Sequence, residues 1–164
     1  MRMRLGVGAV AVIVVLCGGA VRPASAAPDS DACKMVTLAQ LSSALGVKMA
    51  EGKHTTETYV KTCTWNTSEK ATPDLKFVTL DLETVEQFDA GKRMAEKMQG
   101  KMEFETVSGL GDDAYFSSMA SGKIMNLLVK KGSGVFKFAI YGDMPTDKKK
   151  AAAKEIAGEV AGKM

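Results

Sequence analysis

An α+β fold, with an antiparallel sheet of about five strands and helices packed mainly on one face, is what this sequence predicts. Three observations carry that expectation. Residues 75–83 and 135–141 alternate apolar and polar side chains, the period of a half-buried strand. Residues 37–46 and 84–100 open on Thr-x-x-Gln and repeat apolar residues at three- and four-residue spacing, the signature of capped amphipathic helices. Short glycine links at Gly122 and Gly132 to Gly134 favour hairpins between the last strands. At 164 residues, 46% hydrophobic and 25% charged, the chain has the size of one domain. Its composition excludes a collagenous chain, an acidic disordered chain and a cysteine-dense mini-protein.

The first residues read as a leader. Arg2 and Arg4 precede an apolar run over residues 5–21, and Ala24, Ser25 and Ala26 follow as an A-x-A exit, the three parts of a secretory signal peptide. An uncleaved anchor is the competing reading, since 17 apolar residues lie at the short limit of a bilayer span. Lipidation at Cys17 would require a small residue before it, and Leu16 stands there. The expected organisation is therefore a signal peptide over residues 1–26 and a single exported α+β domain over residues 27–164. Cleavage removes Arg2, Arg4 and Arg22 and no acid, leaving 18 lysines and Arg93 against 19 acidic residues. The precursor's net charge of +3 thus vanishes from the exported chain, which removes the case for a nucleic-acid partner. Cleavage also leaves no stable membrane anchor.

Cys33 and Cys63 remain, and two cysteines in an exported chain read as one disulfide. Closing a loop of about 30 residues stabilises by roughly 3–4 kcal/mol on the loop-entropy account. No Cys-x-x-Cys suggests redox work, and His54 is the sole histidine to complete a zinc set.

Along the exported chain, residues 37–46 form a helix capped by Thr37 and Gln40 and stopped by Gly46, with Leu38, Leu41 and Leu45 on one face. Residues 52–62 are polar, a loop or a ragged edge strand. Cys63 and Trp65 share a strand face, and Asn66-Thr67-Ser68 is a glycosylation triplet in a host that glycosylates there. In residues 75–83, Val78, Leu80 and Leu82 face one way. The helix from Thr84 to about Gln99 carries Val85, Phe88, Met94, Ala95 and Met98 as its expected apolar stripe, with Asp89 and Arg93 as an i,i+4 pair. Ser108 to Asp112 is a turn. Strands follow through Tyr115 and Phe116, through Met125, Leu127 and Val129, and through Phe136, Phe138 and Ile140. A last helix runs from Pro145-Thr146 to Lys163, with Ala152, Ala153, Ile156, Val160 and Met164 inward. Lys148 to Lys150 sit at its N-terminal end, unfavourable for cations by the dipole argument.

Chemistry is sparse. One histidine permits no paired-imidazole site, no serine occupies a G-x-S-x-G elbow, and neither G-x-G-x-x-G nor a P-loop occurs. His54 therefore reads as a solvated loop histidine. Asp112 and Asp113 read as turn residues or as ligand contacts. Met94, Met98 and Met102 step by four, and with Met119 and Met125 form either ordinary core or an adaptable apolar groove. Met94, Met98, Asp112 and Asp113 are the candidate ligand-contact residues; no catalytic, metal or cofactor-binding residue is assigned, and no cofactor is expected.

The segments C-K-M-V-T-L-A-Q-L-S-S-A-L-G at residues 33–46, C-T-W at residues 63–65 and S-G-L-G-D-D-A-Y-F at residues 108–116 resemble an uncharacterised family of small bacterial, often actinobacterial, secreted proteins and lipoproteins. That resemblance implies a disulfide-tethered α+β domain at the cell envelope with no established activity. The chain departs from the lipoprotein members in lacking a small residue before a lipidated cysteine. The expected function is a non-catalytic secreted or periplasmic binding module for another envelope protein or a small ligand. The alternatives are a carrier of a hydrophobic or lipid-like ligand, which a deep Met- and Phe-lined cavity would favour, and a hydrolase, which a cleft joining His54 to Asp112 or Asp113 would favour.

Overall fold

A computed structural model describes residues 31–68, 74–98 and 100–164. The leader, its cleavage site and Cys17 lie outside the described residues, as does Gln99 at the expected end of the second helix. A 3-10 turn at Ala32–Lys34 leads to helix α1 (Leu38–Leu45) and strands β1 (Lys53–Thr56), β2 (Tyr59–Asn66) and β3 (Phe77–Glu83). Helix α2 (Val85–Lys97) crosses to β4 (Met102–Thr106), β5 (Asp113–Met119), β6 (Ile124–Lys131) and β7 (Gly134–Tyr141), and helix α3 (Thr146–Gly162) ends the chain. All strands join one antiparallel sheet in the order β1-β2-β3-β7-β6-β5-β4. Two meanders thus meet through their last strands, β3 against β7.

The α+β class and the antiparallel sheet are as the sequence predicts, but the described sheet has seven strands where about five were expected. The additions, β1 and β4, are its two edges. Their sequences, KHTT and MEFET, are short and polar or charged. Edge strands need only one apolar side and are blunted by charge, so their periodicity is weak.

Both Thr-x-x-Gln boxes form. Thr37 Oγ1 accepts from Gln40 N–H and Thr84 Oγ1 from Gln87 N–H, and each glutamine side chain accepts from its threonine's backbone N–H. Gly46 ends α1 at φ 67°, a left-handed conformation that glycine adopts without steric cost. Two-residue alternation then sorts the sheet. Val78, Leu80, Phe116, Leu127, Phe136, Phe138 and Ile140 point to the face covered by the 3-10 turn, α1 and α3, where they join Trp65 and Ile156 in the main core. The opposite face carries α2 and a smaller cluster of Phe88, Ala95, Tyr115, Leu128 and Val135. Helices are therefore mainly, not wholly, on one face.

The Cys33–Cys63 disulfide is present and ties the 3-10 turn to β2. Among the described residues, no helix is long and apolar enough to cross a membrane.

Candidate functional site

A cavity of about 390 Å³ lies between α2 and the sheet. Its origin is legible in the helix. Phe88, Gly91 and Ala95 form the inward line of α2, and only Phe88 is large. Phe88 fills its space by packing edge-on to Tyr115, centroids 5.2 Å apart. At Gly91 a Cβ would come within 2.9 Å of the Tyr115 hydroxyl, so the close approach of helix to phenol depends on the missing side chain. Beyond it the sheet offers short polar side chains, and the space stays open.

The floor is a grid of neighbouring positions. Tyr115, Leu128, Lys137, Asp81 and Thr62 form one cross-strand row over β5, β6, β7, β3 and β2, and Ser117 pairs with Asn126 in the next. Met94 and Met102 supply apolar wall, while Tyr115, Ser117, Asn126, Glu83 and Lys137 bring polar groups to it. Asn126 Nδ2 donates only long contacts to Ser117, 3.4 Å to its carbonyl and 3.5 Å to its hydroxyl. Burial, and then the negative charges of Glu83, Asp113 and Asp89, push the Tyr115 phenol above its ordinary range, so it stays a protonated donor. Lys137 donates to Glu83 at 2.9 Å and lies 3.2 Å from Asp81, whose other oxygen accepts from Thr62 at 2.6 Å. Burial works against the ammonium, but the Glu83 and Asp81 carboxylates outweigh it and raise its pKa. Lys137 is thus already paired with two carboxylates, of which Glu83 lines the cavity beside it, so the floor has no free cation to hold an anion.

A second cavity of about 410 Å³ opens between α1 and the start of α3. Its charged residues, Asp74 and Lys148, are exposed, so it lacks a desolvated polar floor.

The methionine series divides. Met94 is 62% exposed and lines the first cavity, as does Met102; Met125 is core on the opposite face; Met98 and Met119 are exposed and line neither cavity. The expected stripe of α2 therefore loses Met94 and Met98 and keeps Phe88 and Ala95. Asp112 and Asp113 serve the scaffold. Asp112 accepts from Gly132 N–H at 2.6 Å, bracing the β6–β7 hairpin, and Asp113 receives Lys92 of α2 at 2.7 Å. Asp89 pairs with Lys130 of β6 at 3.4 Å rather than along its own helix with Arg93.

His54 is not in a loop. It lies on β1 opposite Cys63, and its Nε2 is 2.6 Å from Asp31 Oδ1. Hydrogen bonding to His54, opposed by burial and helped by Cys33 N–H, keeps the Asp31 carboxyl below its usual range. Five strand steps separate β1 from β5, about 24 Å at ordinary strand spacing, so no cleft joins His54 to Asp113. Asp31, Cys33 and His54 place ligand-type atoms within 4.8 Å of one another, but the Cys33 sulfur is held in the disulfide and is no thiolate ligand in this state.

The cavity was not visible in the sequence. Its usable signal was the pair of small residues, Gly91 and Ala95, on the inward face of an otherwise amphipathic helix.

Compared with protein-family models, curated proteins and solved structures, the chain matches none.

Proposed function

We propose that the chain is an exported, non-catalytic binding module whose site is the cavity beneath α2. The observation that supports this reading is the combination in that cavity of a methionine wall with a polar floor of Tyr115, Ser117 and Asn126, an apolar pocket with a few convergent hydrogen-bonding groups. At about 30 Å³ per water-sized group the space suits a ligand of about a dozen heavy atoms. It is short for a long acyl chain, and no phenylalanine among the described residues lines it, which favours a small amphipathic ligand over a lipid cargo. Among the described residues its lining pairs Lys137 with Glu83 and sets Ser117 beside Asn126, groups suited to orienting a ligand by hydrogen bonds. Export rests on the leader pattern and accords with the disulfide, a bond that persists in oxidising compartments. An envelope location is also what the resemblance of residues 33–46, 63–65 and 108–116 to exported bacterial proteins implies.

The test is ligand-observed NMR with octanol, octylamine and octanoate as probes. Octanol and octylammonium should bind and octanoate should bind at least tenfold more weakly, because Lys137 is already paired with Glu83 and Asp81 while Glu83 itself lines the cavity. Ala90→Trp, at an exposed helix position on the cavity wall, should abolish binding while thermal unfolding is unchanged. Binding of no probe, or binding that survives Ala90→Trp, refutes the site.

A further inference from the structure

On the face of the sheet turned away from the cavity, at the β1 edge, Asp31, Cys33, His54 and Cys63 converge. The two cysteines are bonded to each other, His54 and Cys63 are cross-strand partners, and Asp31 touches His54 at 2.6 Å. Three different elements therefore meet here: one imidazole, one carboxylate and the Cys33 sulfur lie within 4.8 Å of one another, and the Cys63 sulfur is bonded to that of Cys33.

We propose that reduction of the Cys33–Cys63 disulfide opens a tetrahedral site for a zinc-like divalent cation, held by Cys33 Sγ, Cys63 Sγ, His54 Nε2 and a carboxylate oxygen of Asp31. The donor set is one zinc prefers, and four protein ligands make it a closed structural site. Distances fit for three of the donors after a small adjustment, and the Cys63 sulfur must turn toward them once the disulfide opens. Bonds of 2.0–2.3 Å to a tetrahedral ion put ligand atoms about 3.3–3.8 Å apart. The Asp31, Cys33 and His54 donors already lie within 4.8 Å. The two sulfurs and the Asp31–His54 pair must separate, and the element that yields is the three-residue turn at Ala32–Lys34, which the disulfide ties to β2 and whose Ala32 packs in the main core. Cys33 and His54 are partly exposed, which gives a reductant and then a metal ion access.

The electron and proton balance is that of thiol–disulfide exchange. A dithiol reductant attacks the bond, passes two electrons to Cys33 and Cys63, and leaves as its own disulfide. Each cysteine thiol gives up a proton when the cation binds, so uptake releases two protons per ion and strengthens as pH rises. Oxidation reverses the sequence, since bonded sulfurs offer no thiolate, and the cation is expelled. Oxidised, Cys33 and Cys63 join the turn to β2 by a covalent bond; reduced, a metal ion would hold the same two elements.

Co²⁺ titration of the whole chain, oxidised and after anaerobic phosphine reduction, tests this with circular dichroism recorded in parallel. The reduced chain should bind one Co²⁺ with thiolate-to-cobalt charge transfer and the visible bands of a tetrahedral ion, and Zn²⁺ should displace it. The oxidised chain should show neither. Asp31→Asn and His54→Gln should each weaken binding at least tenfold in the reduced state. Should reduction loosen the fold, Co²⁺ must restore it. The proposal is overturned if the reduced chain gives no tetrahedral spectrum, if both variants bind as the parent does, or if metal fails to restore a loosened chain.

Discussion

Phe136, Phe138 and Ile140 of β7 are sealed beneath α3, while Lys137, one residue away on the same strand, faces α2 and joins Asp81 and Glu83. The face under α1 and α3 is continuous, with aromatic and branched side chains running from Trp65 to Val160. Its counterpart beneath α2 buries, among the described residues, only five as core, then gives way to Ser117, Asn126 and the Lys137 ion pairs. Period-two alternation lets one set of strands serve both ends. Stability is concentrated where most inward positions are apolar, and a cavity persists where small helix residues meet short polar strand residues.

The largest expected effect belongs to the packed face. Phe138→Ala should destabilise by about 3–5 kcal/mol in urea unfolding, the range for a buried aromatic replaced by alanine. Leu128→Ala on the α2 face should cost less, because its neighbourhood already contains open space. A Leu128→Ala cost equal to that of Phe138→Ala would remove the division between a load-carrying and a binding face.

An intermediate effect is expected where the packed face contains a buried cation. Lys149 is wholly buried, and its ammonium donates to the carbonyls of Gly122, Lys123 and Gly142 at 2.5, 3.2 and 2.7 Å. It clamps the start of α3 to the β5–β6 turn and the end of β7. Lys149→Met keeps much of the apolar stem but leaves those acceptors without their donor, at about 1–3 kcal/mol. Hydrogen exchange should show the loss first at Gly142 and the start of α3. A neutral result would mean that water replaces the ammonium and that this end of the core is wet.

Lys149 also marks where the sequence ceased to be legible. Helix ends, strand alternation and the disulfide rest on local chemistry, so Thr37 with Gln40, Thr84 with Gln87, and Cys33 with Cys63 were readable. Lysines at the N-terminal end of α3 looked electrostatically misplaced because their partners are remote. Lys149 reaches carbonyls 7 to 27 residues away, and Lys150 reaches Glu105 of β4. The candidate site was hidden for the same reason. Nothing local says that Gly91 will stand over Tyr115, or that Ser117, Asn126 and Lys137 will lie side by side. The inward stripe of α2 fails at Met94 and Met98 because the helix turns its small residues to the sheet; Met94 stands at the cavity wall instead and Met98 outside it.

The smallest effect falls on the α2 face and appears only in alkali. Tyr115→Phe removes a hydroxyl that lines the cavity, so at neutral pH its cost should stay below about 1 kcal/mol. The folded phenol has its pKa raised, chiefly by burial, above the ordinary value near 10. The folded state therefore holds a proton that the unfolded chain has begun to lose. This contribution is full below about pH 10 and declines as pH rises from there toward the folded value. Parent and variant should have nearly parallel stabilities up to about pH 10 and diverge above it, the parent falling more steeply, as read from urea midpoints. Lysines titrate in the same window in both proteins, so the difference in slope isolates the phenol. Equal slopes would mean that the Tyr115 hydroxyl is solvated like an exposed one. The floor beneath α2 would then be an open polar surface, without the desolvation that a selective site for a small ligand requires.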